Sequence, residues 1–209
     1  MNQQIRNFNQ DFDAIVTIYG ERTAFIPVVD GQKNLNYEQL NELVFKHLAW
    51  FEELGIKRGE RIGALMPNSV EMLALFIACL RGGYGFAPLA CDTSSVEAEN
   101  WAKLIRPTRV IMGNILPTPV KEGLKKANVN LTEIHNNGEF AFLPTDKKIT
   151  KCSGGSKLYL YTSGTTGLPK AIVLDGDRLW SSGHTFVRQN GLNFESNFRI
   201  WNYLPQSYL

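Results

Sequence analysis

Cysteine and histidine are scarce, with three of each in 209 residues. Cys79, Cys91 and Cys152 are odd in number and show no C-x-x-C spacing. That excludes a disulfide framework and a zinc site, and the three are expected to be reduced thiols. Net charge is also small, at +2, and no basic stripe with interleaved aromatics is present. Nucleic acid and anionic membrane surfaces are therefore not expected partners. The longest apolar run, Met72 to Leu80, is too short to span a bilayer. The polar start, Met1 to Asn7, lacks the apolar stretch of a signal peptide, so a cytoplasmic location is expected. What remains is ordinary for a globular chain: 44% hydrophobic and 20% charged residues.

Strand-like and helix-like segments alternate, which predicts βαβ units and a mainly parallel sheet flanked by helices. Thr23–Val29 and Lys33–Asn36, separated by Asp30-Gly31, read as a hairpin. Leu40, Val44, Leu48, Phe51 and Leu54 recur near helical spacing, predicting a helix over 37–54 that ends at Gly55. Arg61–Met66 reads as a short apolar strand. Asn68 with Glu71 suggests a capping box opening a helix that stops at Gly82-Gly83. Ser94 with Glu97 gives a second box, for a helix to about Ile105. Arg109–Met112 is the next expected strand, and 117–127 a short helix. Residues 136–157 read as surface loop. Lys157–Tyr161 and Ala171–Leu174 read as strands, 177–189 as a helix and Phe198–Tyr203 as a last strand. No repeat and no linker is visible, so one continuous α/β unit is the simplest organisation.

The chemistry is concentrated in Tyr161-Thr-Ser-Gly-Thr-Thr-Gly-Leu-Pro-Lys170. Gly164 and Gly167 permit close backbone approach, so several N–H groups can face one concavity. Thr162, Ser163, Thr165 and Thr166 add hydroxyls, and Lys170 adds a point charge. That donor set fits a polyphosphate. The P-loop of the NTPases is excluded, because Leu168-Pro169 separates Gly167 from Lys170. A Ser/Thr/Gly run is most often a linker. This one lies between two strand-like segments and ends in Pro169-Lys170, which favours an ordered phosphate loop.

At these residues the chain resembles the adenylate-forming superfamily of acyl-CoA synthetases, adenylation domains of non-ribosomal peptide synthetases and luciferases. Three more stretches are similar to that family's motifs: Leu35–Leu40, Gly59–Ser69 and Leu80–Leu89. The resemblance implies the first part of a large N-terminal α/β domain. It also implies a two-step reaction with ATP and Mg²⁺. A carboxylic acid would attack the α-phosphorus, giving an acyl adenylate and pyrophosphate, and a thiol of CoA or a carrier protein would take the acyl group. Thr162 to Gly167 would bind the phosphates, and Lys170 would stabilise the leaving pyrophosphate. No metal-ligating residue is assigned. Asn202–Tyr208 resembles the next family motif, placing Tyr208 near the substrate carboxylate, with an aromatic core role nearly as good a reading.

The remaining candidates are weaker. His47 and His135 lack partners at metal or triad spacing and read as structural or surface residues, and His184 reads as core. Glu52-Glu53 and Asp11/Asp13 read as solvated helix faces. Two departures from the family pattern stand out. Ala171 replaces a common glycine, and Asp175-Gly176 stands where relatives have Thr/Ser-His, so that Asp175 is free to cap the following helix. The family's Thr-Glu element, ribose-binding Asp and small C-terminal domain with its lysine have no counterpart in the 209 residues. The chain is thus expected to be an N-terminal portion of the enzyme, covering 1–209, inactive alone and needing the missing C-terminal part. The alternative is a naturally short, non-catalytic module that binds nucleotide or a partner.

Overall fold

Five parallel strands and one antiparallel edge strand make the central sheet of the computed structural model, which describes residues 5–27, 33–113, 117–134, 154–162 and 169–191. In spatial order these are β6 (Leu131–Ile134), β5 (Arg109–Gly113), β3 (Arg61–Leu65), β4 (Gly85–Pro88), β7 (Lys157–Thr162) and β8 (Lys170–Asp175). The expected parallel α/β architecture is present. β3 and β5 read as almost unbroken apolar runs because both of their faces are covered. Ile62, Ala64, Leu65, Val110 and Ile111 have no exposed surface.

Helices cover the two faces. α3 (Val70–Gly82) lies with α2 (Tyr37–Glu53) and α1 (Phe8–Tyr19) over one core, built on Val44, Phe51, Leu75 and Phe86. α4 (Ser95–Ile105) and α5 (Thr118–Lys126) cover the other, built on Trp101, Leu65, Val110 and Leu124. Gly63 is needed between them. A Cβ there would stand 2.7 Å from the Trp101 ring and 2.8 Å from Val110. α6 (Gly176–Gln189) returns to the first face, where Leu179 and Trp180 pack on the core.

Among the described residues the expected helices and strands fall where pattern placed them, with differences at the ends. The Ser94/Glu97 capping box of α4 forms, and α2 carries one of its own, Asn36 with Gln39. α3 is capped one residue later than expected. Ser69, not Asn68, is extended and accepts from the Met72 amide, which puts Glu71 out of register for a box. Gly83 ends α3 in the left-handed region, at φ 75°. The early hairpin is real but short. β1 (Thr23–Phe25) pairs antiparallel with β2 (Leu35–Asn36), and residues 28–32 lie outside the described residues. So do most of the expected surface loop, the expected last strand Phe198–Tyr203, and Cys152 and His135.

Asp11 and Asp13 are not simply solvated. Asp13 Oδ1 lies 2.6 Å from Nη2 of Arg81, a side chain without exposed surface held between the rings of Phe12 and Phe45. Asp11 is bound by Arg6 and by the Trp180 indole. Glu52 and Glu53 are exposed, as expected.

His47 is fully buried beside Trp50 and Phe51, a structural position. Burial pushes its pKa down to about 3. The unfolded chain then binds a proton below about pH 6.5 that the folded chain refuses. Stability is present above that pH and falls as pH drops, by about 1.4 kcal/mol per pH unit from this residue. Urea unfolding at pH 7 and pH 5 should show the loss, and His47→Leu should flatten the difference. An equal slope in the variant would assign the acid sensitivity elsewhere.

Candidate active site: the mouth of the β7–β8 hairpin

β7 enters the sheet from Gly154 and Gly155, both at positive φ (82° and 89°), and Ser156, which is buried. It runs parallel to β4, Gly85 opposite Lys157 and Phe86 opposite Leu158. Its last residues therefore emerge at the carboxyl edge of the parallel strands, the edge where open α/β sheets bind ligands. β8 then runs back antiparallel in unbroken register, from Thr162 opposite Lys170 to Lys157 opposite Asp175. The two ends of the expected phosphate loop are thus brought face to face. Thr162 and Lys170 are both exposed there. Ser163, Gly164, Thr165, Thr166 and Gly167, and likewise Tyr208, lie outside the described residues.

Below the mouth the hairpin is anchored on both faces. Leu158, Leu160 and Leu174 pack on the first core, and Tyr159 and Tyr161 on the second. Gly85 lets Tyr159 cross β4, since a Cβ there would lie 2.7 Å from the ring. Arg61 sits over the same ring, 5.8 Å from its centre. Partial burial raises the Tyr161 hydroxyl pKa, and the Glu97 carboxylate adds to it, which places the first turn of α4 beside the top of β7. Cys91, at the end of the β4 segment, is pushed up by burial and by Asp92, so it is no thiolate nucleophile at neutral pH. Among the described residues no cluster of His, Cys, Asp or Glu could hold a metal ion.

Asp175 does cap α6, its carboxylate accepting from the Arg178 amide at 3.0 Å. The residues pattern reading missed are the clamp at the hairpin's base: Gly154, Gly155, Ser156 and Gly176. The Gly176 amide donates to the Ser156 carbonyl at 3.0 Å, and a Cβ on Gly176 would collide with Ser156 Oγ. Two adjacent glycines before a strand were the available signal. Gly176→Ala is expected to cost roughly 1–3 kcal/mol through overpacking. Gly183→Ala, in the same helix with nothing within 4 Å of a Cβ, should be neutral or stabilising. Chemical denaturation of both variants checks this, and equal stabilities would remove the clamp. His184, expected in the core, is instead a partly exposed residue of α6 lining a surface cleft.

Comparison with known proteins gives the context of this hairpin. Residues 12–208 match the family model described as AMP-binding enzyme. A long-chain-fatty-acid–CoA ligase of Mycobacterium tuberculosis, FadD13, is 28% identical over 162 residues, covering 73% of this chain and 32% of the ligase. Bacitracin synthase 1 of Bacillus licheniformis is 25% identical over 170 residues, covering 79% of this chain and 3% of the synthase. A crystal structure of a long-chain-fatty-acid-CoA ligase from Archaeoglobus fulgidus shares the fold, with a TM-score of 0.73 at 19% identity, over 92% of this chain and 41% of that one. The chain spans about a third of the FadD13 ligase's length and far less of the synthase's. Among the described residues no helix is long and apolar enough to cross a membrane. With the match running through nearly the whole chain, this protein belongs to the AMP-binding enzyme family.

Proposed function

We propose that this chain is the phosphate-binding part of an ATP-dependent carboxylate-activating ligase. The observation that carries the reading is the hairpin that sets Thr162 against Lys170 at the carboxyl edge of a parallel sheet, with the Gly/Ser/Thr-rich sequence 163–167 between them. In the reaction a carboxylate oxygen bonds to the α-phosphorus of ATP while the bond to the bridging oxygen of the β-phosphate breaks, giving an acyl adenylate and pyrophosphate. A thiolate of CoA or a carrier protein then displaces AMP from the carbonyl carbon.

The chain's own contribution is positioning and charge. Lys170, at the start of β8, supplies an ammonium group to the departing β- and γ-phosphate oxygens. Thr162 and the hydroxyls and amides of 163–167 hold the same oxygens, so the α-phosphorus stays in line for attack. Magnesium would neutralise part of the phosphate charge. No residue of this chain is assigned to hold it. Residues 1–209 are on this reading part of a larger N-terminal domain, and Tyr208 is the candidate contact for the acid. The acid, the thiol acceptor and a cytoplasmic location belong to the same proposal.

Reading the gene past the codon for Leu209 tests it. An open frame encoding a metal-binding Glu, a ribose-binding Asp and a distal Lys supports the ligase. An immediate stop codon favours a short module that binds without turnover.

A further inference from the structure

A cleft of about 710 Å³ lies between the segment 5–11 and the later turns of α6, and no residue of β7 or β8 lines it. Its walls are fixed by hydrogen bonds across the chain. The Arg6 amide donates to Ser181 Oγ at 2.9 Å, and the Phe8 amide donates to Asp177 Oδ1 at 2.9 Å.

The polar groups facing this space are unevenly matched. Among the described residues Asp11 is the only carboxylate lining it, and both of its oxygens are taken. Arg6 Nη2 donates to Oδ1 at 2.7 Å, while Arg6 Nε and Trp180 Nε1 both donate to Oδ2 at 2.6 Å. The Asn7 side-chain oxygen is taken as well, by the Gln10 amide at 3.0 Å. Donors remain. Among the described residues the Arg188 guanidinium and the His184 ring have no hydrogen bond or ion pair, and the side chains of Asn7, Gln10 and Gln189, amides that can donate or accept, line the same cleft. The charges of Arg6, Arg188 and Asp11 sum to a positive field. His184 registers it: partial burial lowers its pKa first, and the charges of Arg6 and Arg188 lower it further against the opposing pull of Asp11.

A space of this size is in the range of small-ligand sites, and two guanidinium groups and an imidazole against the single Asp11 carboxylate among the described lining favour an anion. We propose that the cleft binds a small polyvalent oxyanion of the phosphate type, free or as the phosphate group of a metabolite, with Arg188 and His184 as direct ligands. Arg188 provides the planar fork that fits two oxygens, and Arg6 holds the opposite wall. Protonation of His184 adds a positive charge, so at a fixed charge on the anion binding strengthens as pH falls through its pKa. The charged groups facing the imidazole are Arg6, Asp11 and Arg188.

The test is a titration of the 209-residue chain with inorganic phosphate at low ionic strength, followed by the His184 ring proton signals in NMR, assigned with His184→Gln. Saturable shifts and a raised His184 pKa are expected. Arg188→Gln should weaken the phosphate midpoint about tenfold, the worth of one charge-assisted hydrogen bond. Arg188 is exposed, so that variant should fold normally. Lys170→Ala should leave the midpoint unchanged. A non-saturating response, an unchanged midpoint in Arg188→Gln, or a response lost in Lys170→Ala would each overturn the proposal. The last outcome would place the anion at the hairpin mouth instead. Repeating the titration with glycerol phosphate separates the two sources. Equal midpoints mean that the phosphate group alone is read, and a tighter one points to a metabolite.

Discussion

Lys170→Ala is expected to slow acid-dependent exchange between ATP and pyrophosphate by about 10²-fold or more, in a protein that joins this chain to the family's later elements. The expectation rests on where the lysine stands. It is the first residue of β8, opposite Thr162, exposed at the open end of a hairpin whose other end is flanked by the buried Ser156 and Gly176. An ammonium group there costs little to hold and has no role in the core. Its removal should therefore leave thermal stability nearly unchanged while stripping a charge from the leaving group. Lys170→Arg should recover part of the rate, because it keeps the charge but not the compact head. Exchange at the wild-type rate in Lys170→Ala, at saturating ATP, would show that the lysine does not meet the phosphates.

The 209 residues alone are expected to catalyse no exchange with fatty, aryl or amino acids. Phosphoryl chemistry of this kind is catalysed mainly by holding both reactants in line, and one phosphate cradle holds only one end of one reactant. A single anchor also bears the whole entropic cost of immobilising the nucleotide, so ATP should bind weakly. Ile172, Val173 and Phe186 are 48%, 50% and 62% exposed on β8 and α6. That apolar surface at a sheet edge gives the isolated chain a tendency to self-associate. Incubation with ATP, Mg²⁺, labelled pyrophosphate and a panel of acids decides the matter. Exchange above background with any acid would make the short chain a complete catalyst.

Much of the architecture was legible in the sequence because local chemistry and tertiary packing agree. The apolar runs of β3 and β5, the Ser94/Glu97 box and the Gly83 stop each state their role within a few residues. The misses have physical causes. β6 is only Leu131-Thr-Glu-Ile134, too short and too polar for a strand pattern, and it is set by pairing with β5. α1 was legible only as a helix face carrying Asp11 and Asp13, without bounds. Its buried face is little more than Phe8, Asn9 and Phe12, and its place depends on Arg81 and Trp180, far away in sequence. The same distance explains the misreading of Asp11 and Asp13, since no local pattern announces a partner 68 or 169 residues on. At the candidate site the chemistry was readable from residue types, whereas the clamp of Ser156 against Gly176 follows only from the register of β7 and β8.

The fastening of α1 has a consequence for how the chain matures. Its docking contacts to α6 span 169 residues at Phe8–Asp177 and 175 residues at Arg6–Ser181. On the ribosome these partners are made roughly 10–30 s after α1, at about 5–20 residues per second. Until then α1 has only α2 and α3 to rest on, with Phe8 short of its Trp180 neighbour. α1 is thus secured only after α6 has been made, and a nascent chain stalled before residue 176 should carry it as a protease-sensitive arm.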